Sequence, residues 1–338
     1  MSGERRRTLS VIFFLCAVFF LYTSCTEKKK DTKDNLNRDS LILGFSQIGA
    51  ESAWRKCNTR SVREAAATDG VQLIFENAEQ KQENQIKAIR SFIAYQVDVI
   101  AFVPIVADGW DNVLREAKEA GIPVLVTDRK INTSDESLYA GFVGTNSQQE
   151  GREAGNFIVR KFEKMKKAGK SVHDPIRIVE ISGTEGSSVA IGRAEGFREV
   201  LKDKKNFTII YSKSGDFLRS KGYELMCSIL DKFTGIDAVF SHNDGMTLGI
   251  LEAMKERGIK PGKDIVIVTI DAEQAAIDAL RAGEVNCVIE CNPKTGPVIM
   301  SLARKLAAGE TIPHLLHVSE TVFSEDDTDL ADIPSRGY

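Results

Sequence analysis

The sequence predicts an α/β protein of two doubly wound, parallel-sheet lobes joined by a hinge, and three observations predict it. From Leu41 onward, short apolar runs rich in Val, Ile and Phe alternate with longer amphipathic stretches, the pattern of βαβ units. Ten such runs exceed what one compact core usually holds, which points to two lobes. Many of the runs also end in polar or charged residues, and in sheets of this class a ligand sits beyond the carboxyl ends of the strands.

Residues 41–46, 71–76, 97–103, 122–127 and 138–144 are the first series of expected strands. Between them, 80–95 reads as a helix because Ile86, Ile89, Phe92 and Ile93 fall on one face. A second helix, 111–120, stops at Gly121 and Pro123. The second series of strands is 176–181, 207–211, 236–240, 265–270 and 285–290, again separated by helical stretches. The chain is expected to cross between lobes near Thr145 and to return near Asn292 and Thr321. One lobe then holds 41–145 plus 292–321, and the other 146–291 plus 322–338.

The start of the chain has a different character. Arg5, Arg6 and Arg7 precede an apolar run at 9–22, the order of an export signal. That run is shorter than the roughly 20 apolar residues a spanning helix needs. Leu21-Tyr22-Thr23-Ser24-Cys25 resembles the lipobox of bacterial lipoproteins, which implies a signal peptide at 1–24, cleavage before Cys25 and lipidation of its sulfur. Tyr22 departs from the usual aliphatic residue, so ordinary signal cleavage stays open, and an uncleaved anchor would leave the domain on the same side. Residues 26–40 carry Lys, Asp, Asn and Thr with a single leucine, too little apolar surface to fold, and read as a solvated tether. Removing 1–24 takes away three arginines and one glutamate and moves the net charge from −3 to −5, an acidic balance that excludes a nucleic-acid partner. Cys57, Cys227, Cys287 and Cys291 lack metal-ligand spacing and read as core thiols, although three disulfide connectivities remain open to them.

Phe45-Ser46-Gln47, the stretch 79–85, Asp128-Arg129, Gly183-Thr184-Glu185-Gly186, Arg193 with Gly196-Phe197, Ser214-Gly215-Asp216-Phe217, His242-Asn243-Asp244 and Asp271 follow one another in a recognisable order. Together they resemble the periplasmic sugar-binding proteins of the ribose- and galactose-binding type, over nearly all of 41–322. Within that family the stretches 44–47, 54–55, 81–88 and 187–191 resemble the galactofuranose binders. The resemblance implies the type I periplasmic binding fold, lobes that close on a sugar by hinge motion, and no cofactor. It also implies an extracytoplasmic, membrane-anchored monomer that hands a monosaccharide to an ABC transporter permease. A sensor presenting sugar to a chemoreceptor or histidine kinase is the other reading.

Sugars pair apolar C–H faces with a rim of hydroxyls, so they call for aromatic plates and planar polar groups. Trp54 and Phe217 are the candidate plates; ordinary core packing is the alternative, weaker for Trp54, which sits among Glu51, Ser52, Arg55 and Lys56. Asp128 and Arg129 end a strand and can bracket adjacent hydroxyls with charge-assisted bonds, whereas an isolated Asp-Arg would be a surface turn. Asp271 has the same logic from the second series. Arg193 is expected to face the cleft, against the alternative of a solvated helix charge. Asn243 is expected to meet ligand, with Asp244 capping the following helix. Gln47, Glu51, Arg55 and Glu290 complete the expected ligand set, Glu290 on the loosest correspondence.

Enzymatic readings find no support in the motifs. There is no zinc-protease motif, nucleophile elbow or Cys-His arrangement. Gly169-Lys170-Ser171 lacks the earlier glycine of a phosphate loop, and His314 and His317 read as strand or loop residues rather than a metal site. A glycosidase would need one carboxyl held protonated and a second set for attack, and the Asp, Arg and Asn of the expected cleft favour ionised, partnered carboxylates instead. A DNA-binding regulator would need a helix-turn-helix where the signal and tether lie.

Overall fold

A computed structural model describes residues 40–338; the expected export signal, Cys25 and the expected tether up to Asp39 lie outside the described residues. Ile42–Gln47 (β1), Gln72–Asn77 (β2), Val99–Phe102 (β3), Val124–Thr127 (β4) and Gly141–Gly144 (β5) form one sheet. Leu315–His317 (β11) completes it in the order β11-β5-β4-β3-β1-β2, parallel throughout. Ile176–Ser182 (β6), Phe207–Ser214 (β7), Ala238–Ser241 (β8), Val266–Asp271 (β9), Cys287–Glu290 (β10) and Val322–Ser324 (β12) form the other. Its order is β12-β10-β9-β8-β6-β7, and only β12 runs antiparallel. The inner strands β3, β4, β8 and β9 are buried along their whole length, as expected when helices cover both faces of a parallel sheet. This is the two-lobed, doubly wound fold that the alternating pattern predicts.

The covering helices are Ala53–Thr68 (α1), Gln82–Ala94 (α2), Asp111–Glu119 (α3), Ser147–Lys167 (α4), Ser188–Leu201 (α5), Arg219–Lys232 (α6), Asp244–Glu256 (α7), Gln274–Arg281 (α8) and Gly296–Ala307 (α9). Several expected boundaries shift for local reasons. The run 97–103 begins its ladder only at Val99, because Val97 N still bonds Phe92 O at the end of α2. In the run 138–144 the first residue closes a 3-10 turn, Glu136–Leu138, capped by Asp135, and the ladder starts only at Gly141. The run 207–211 continues to Ser214. Strands β11 and β12 are three residues each and partly exposed, too short for alternation to mark them.

The chain passes between the sheets three times, after β5, after β10 and after β11. Close packing of α4 on α5 fixes what lies beside the first passage. A Cβ on Gly196 would stand 1.9 Å from Gln148 O, and one on Gly151 would stand 2.0 Å from Arg193 O. Only glycine allows this approach, and it sets Glu150 of α4 against Arg193 of α5.

Candidate ligand site between the two sheets

The loops at the carboxyl ends of both sheets enclose a small cavity. Glu51 and Ser52 after β1, Trp54 and Arg55 on α1, and Asp128 and Arg129 after β4 line one side. Val189 and Arg193 on α5, Phe217 after β7, Asn243 after β8, Asp271 ending β9 and Cys291 after β10 line the other. The empty space among them, counted together with what opens to solvent, is about 320 Å³. Hydrogen bonds join the rims of the two lobes: Trp54 N donates to Glu273 Oε1 at 3.0 Å, Lys130 N to Ser188 Oγ at 2.6 Å, and Ala107 N to Gly186 O at 2.8 Å.

Three guanidinium groups converge here, each almost fully buried. Arg55 pairs with Asp128 at 2.6 Å and with Glu51 at 3.1 Å. Burial works against its charge, but Asp128 and Glu51 outweigh burial and raise its pKa further. Arg129 donates to Ile105 O at 3.0 Å and lies 4.0 Å from Glu51, while its Nε has no partner among the described residues. Burial first, then the neighbouring Arg55, push the pKa of Arg129 down to about 10. Arg193 donates to Glu150 at 2.6 Å and to the carbonyl of His242, with Asp271 at 3.9 Å. Burial opposes its charge as well, and Glu150 leads the groups that raise its pKa. Burial lifts the Asp271 carboxyl well above the usual carboxylate range, against the pull of Arg193.

Two aromatic faces complete the lining. The Arg129 and Arg193 guanidinium carbons lie 5.3 and 5.9 Å from the Phe217 ring centre, and that of Arg55 lies 4.6 Å from the Trp54 ring. Trp54 Nε1 donates to Cys291 O, tying the plate to the second passage between sheets. Phe217 sits over Gly183, where a Cβ would come within 1.9 Å of the ring. Asp128, Phe217 and Asp271 adopt φ of 62°, 61° and 129°, a conformation costly for a bulky residue such as Phe and of the kind that gathers at functional sites.

Nine of the eleven expected ligand residues thus line one cavity: Glu51, Trp54, Arg55, Asp128, Arg129, Arg193, Phe217, Asn243 and Asp271. Gln47 and Glu290 do not. Gln47 is buried against α1, donating to Asn58 Oδ1 at 3.0 Å and to Thr59 Oγ1 at 3.2 Å. Glu290 accepts from Thr321 N at 3.1 Å and pairs with Arg336 near the end of the chain. Asp128 forms its ion pair with Arg55 at 2.6 Å, and Arg129 stands beside it in the lining. The cap of α7 falls to Asn243, whose Oδ1 accepts from Met246 N at 3.0 Å, and Asp244 instead accepts from Thr269 Oγ1 and Glu273 N, both at 2.6 Å. The buried Arg193 is no solvated helix charge. Cys57, Cys227, Cys287 and Cys291 are all free thiols.

Sequence reasoning missed Ser52, Val189 and Cys291 in the lining, and Glu150, which holds Arg193 in place. Cys291 follows the strand 287–290 directly, and that strand-end position was its only signal. Glu150 carries none, because its role depends on the packing of two helices.

The periplasmic binding protein domain model matches residues 43–311. The chain belongs to that family. It is a family of extracytoplasmic binding proteins rather than of enzymes, and no helix among the described residues is long and apolar enough to cross a membrane. Galactofuranose-binding protein YtfQ of Escherichia coli (strain K12) is 42% identical over 292 residues, which are 85% of this chain and 89% of that protein. The structure of a Mycobacterium smegmatis protein in complex with β-D-fucofuranose is 44% identical, with a TM-score of 0.83, covering 88% of this chain and 95% of that one. The binding component of the arabinose ABC transporter from Shewanella sp. ANA-3, bound to α- and β-L-arabinofuranose, is 39% identical with a TM-score of 0.80, covering 86% and 93%.

Proposed function

We propose that the cavity binds one monosaccharide in its furanose form, with galactofuranose the leading candidate, and that the protein delivers it to an ABC importer permease. The observation that carries this reading is the meeting of Arg129, Arg193, Asp128 and Asp271 with the Trp54 and Phe217 rings around one cavity. Guanidinium forks and carboxylates suit a rim of hydroxyls, and aromatic faces suit C–H surfaces. The ligands of the three relatives are support of a second kind: galactofuranose, fucofuranose and arabinofuranose share a five-membered ring and differ in its substituents. In this reading 41–145 plus 292–321 close on 146–291 plus 322–338 about the three passages between sheets, and lipidation of Cys25 tethers the protein to the membrane.

A thermal-shift screen of D-galactose, L-arabinose, D-fucose, D-fructose and D-ribose tests the ligand class. Sugars that present a galactose-like or arabinose-like furanose are expected to raise the melting temperature most. A sugar at 100 times its dissociation constant adds about 2.7 kcal/mol of stability. No shift with any of the five would contradict the proposal.

A further inference from the structure

Behind the cavity lining, two acidic side chains meet where the chain passes between the lobes. Glu150 lies in the first turn of α4, just after the first passage, and Glu320 lies in the last. One oxygen of each and the sulfur of Cys291, on the middle passage, lie within 4.8 Å of one another. Glu150 is 1% exposed. Its Oε2 takes the Arg193 bond, while its Oε1 and Glu320 Oε1 are buried and meet no donor among the described residues. Glu320 is half-buried, and a backbone hydrogen bond from Asn146 reaches its carboxyl, but Arg193 is the one cation paired with the two carboxylates among the described residues and bonds Glu150 alone.

The surrounding groups decide how that charge is removed. Arg193 comes from α5, Asp271 from β9, Cys291 from the passage after β10, and His317 from β11, its Nδ1 3.0 Å from Thr145 O. A divalent cation is a poor candidate, because Arg193 already occupies one face of Glu150 and burial pushes the Cys291 thiol up, keeping it protonated. A single proton shared by the two carboxyls relieves the repulsion between them. We infer that Glu150 and Glu320 form a proton-binding site at the hinge, and that closing the lobes on a sugar takes up one proton there.

The linkage has a definite sign, and it rests on the sugar-binding reading above. Burial first, and then Glu150, hold the Glu320 pKa up at about 10 in the closed form. Opening moves the passages apart and hydrates Glu320, whose pKa returns toward the ordinary value of about 4.3. Between those values the closed form holds more protons than the open form, so closure is favoured at low pH and sugar affinity falls as pH rises.

Calorimetry of D-galactose binding at pH 7.5 in phosphate and in Tris reads the proton directly through the buffers' different ionisation heats. Wild type should take up about one proton per sugar, and Glu320→Gln, which is outside the cavity lining, should bind sugar with none. Equal heats in both buffers for a sugar-binding wild type would overturn the hinge site and leave the sugar reading intact. Absence of binding would overturn the sugar reading. The hinge site is then tested on protein locked closed by a Lys130→Cys/Ser188→Cys disulfide. There, urea stability should fall from pH 5 to pH 9 more steeply with Glu320 than with Glu320→Gln, in which raised groups such as Asp271 still titrate, and parallel profiles would overturn it. A zinc-dependent rise in melting temperature that Glu320→Gln abolishes would also overturn it, by showing a cation site.

Discussion

Arg193→Ala is expected to weaken sugar binding by about tenfold or more while the protein stays folded. A charge-assisted hydrogen bond contributes roughly 1.5–3 kcal/mol, and the loss grows when a partner is left stranded. Arg193 has such a partner in Glu150, and it also anchors the carbonyl of His242 beside Asn243. Arg193→Lys should recover little, since an ammonium cannot reproduce a fork that serves Glu150, His242 and the cavity together. Arg152→Ala is the control: it lies two residues after Glu150 on α4 and pairs at the surface with Glu199, so binding should be unchanged. Calorimetric titration with D-galactose checks all three variants. Wild-type affinity in Arg193→Ala would remove this residue from the site.

Trp54→Ala should have an effect of similar size, through lost stacking and lost closure together. Its ring is the plate nearest Arg55, and its Nε1 holds Cys291 O across the passage between sheets. The chain has two tryptophans, and the other, Trp110, is fully buried against Phe102 with its own acceptor at Val106 O. A sugar-dependent change in tryptophan emission therefore reports Trp54. Trp54→Phe should keep part of the affinity and lose the emission change. A change that persists in Trp54→Phe would place the sugar elsewhere.

The fold was legible because each buried strand had to be a short apolar run and each covering helix an amphipathic one. The cavity was legible for a related reason. Asp128, Phe217, Asn243 and Asp271 all stand where a strand ends, and in a doubly wound sheet those ends face the ligand. The same rule misplaces Gln47 and Glu290, which also end strands: the amide of Gln47 is held by α1, and the carboxylate of Glu290 by Arg336 and Thr321 N. Period-two alternation says that a side chain leaves the sheet, but the neighbours it finds there come from elsewhere in the chain. Glu150 and Glu320 had no local signature at all. Their meeting depends on glycines at 151 and 196 that let two helices touch, and on a passage that returns far along the chain.

The most direct test of the central claim uses ¹³C-labelled D-galactose, which interconverts between ring forms in solution and so lets the protein choose. NMR of the anomeric carbon in the complex should show one bound sugar in the furanose form, displaced from its free shift by the aromatic faces of Trp54 and Phe217. A bound pyranose would overturn the ring assignment, and no bound signal at saturating sugar would contradict the account as a whole.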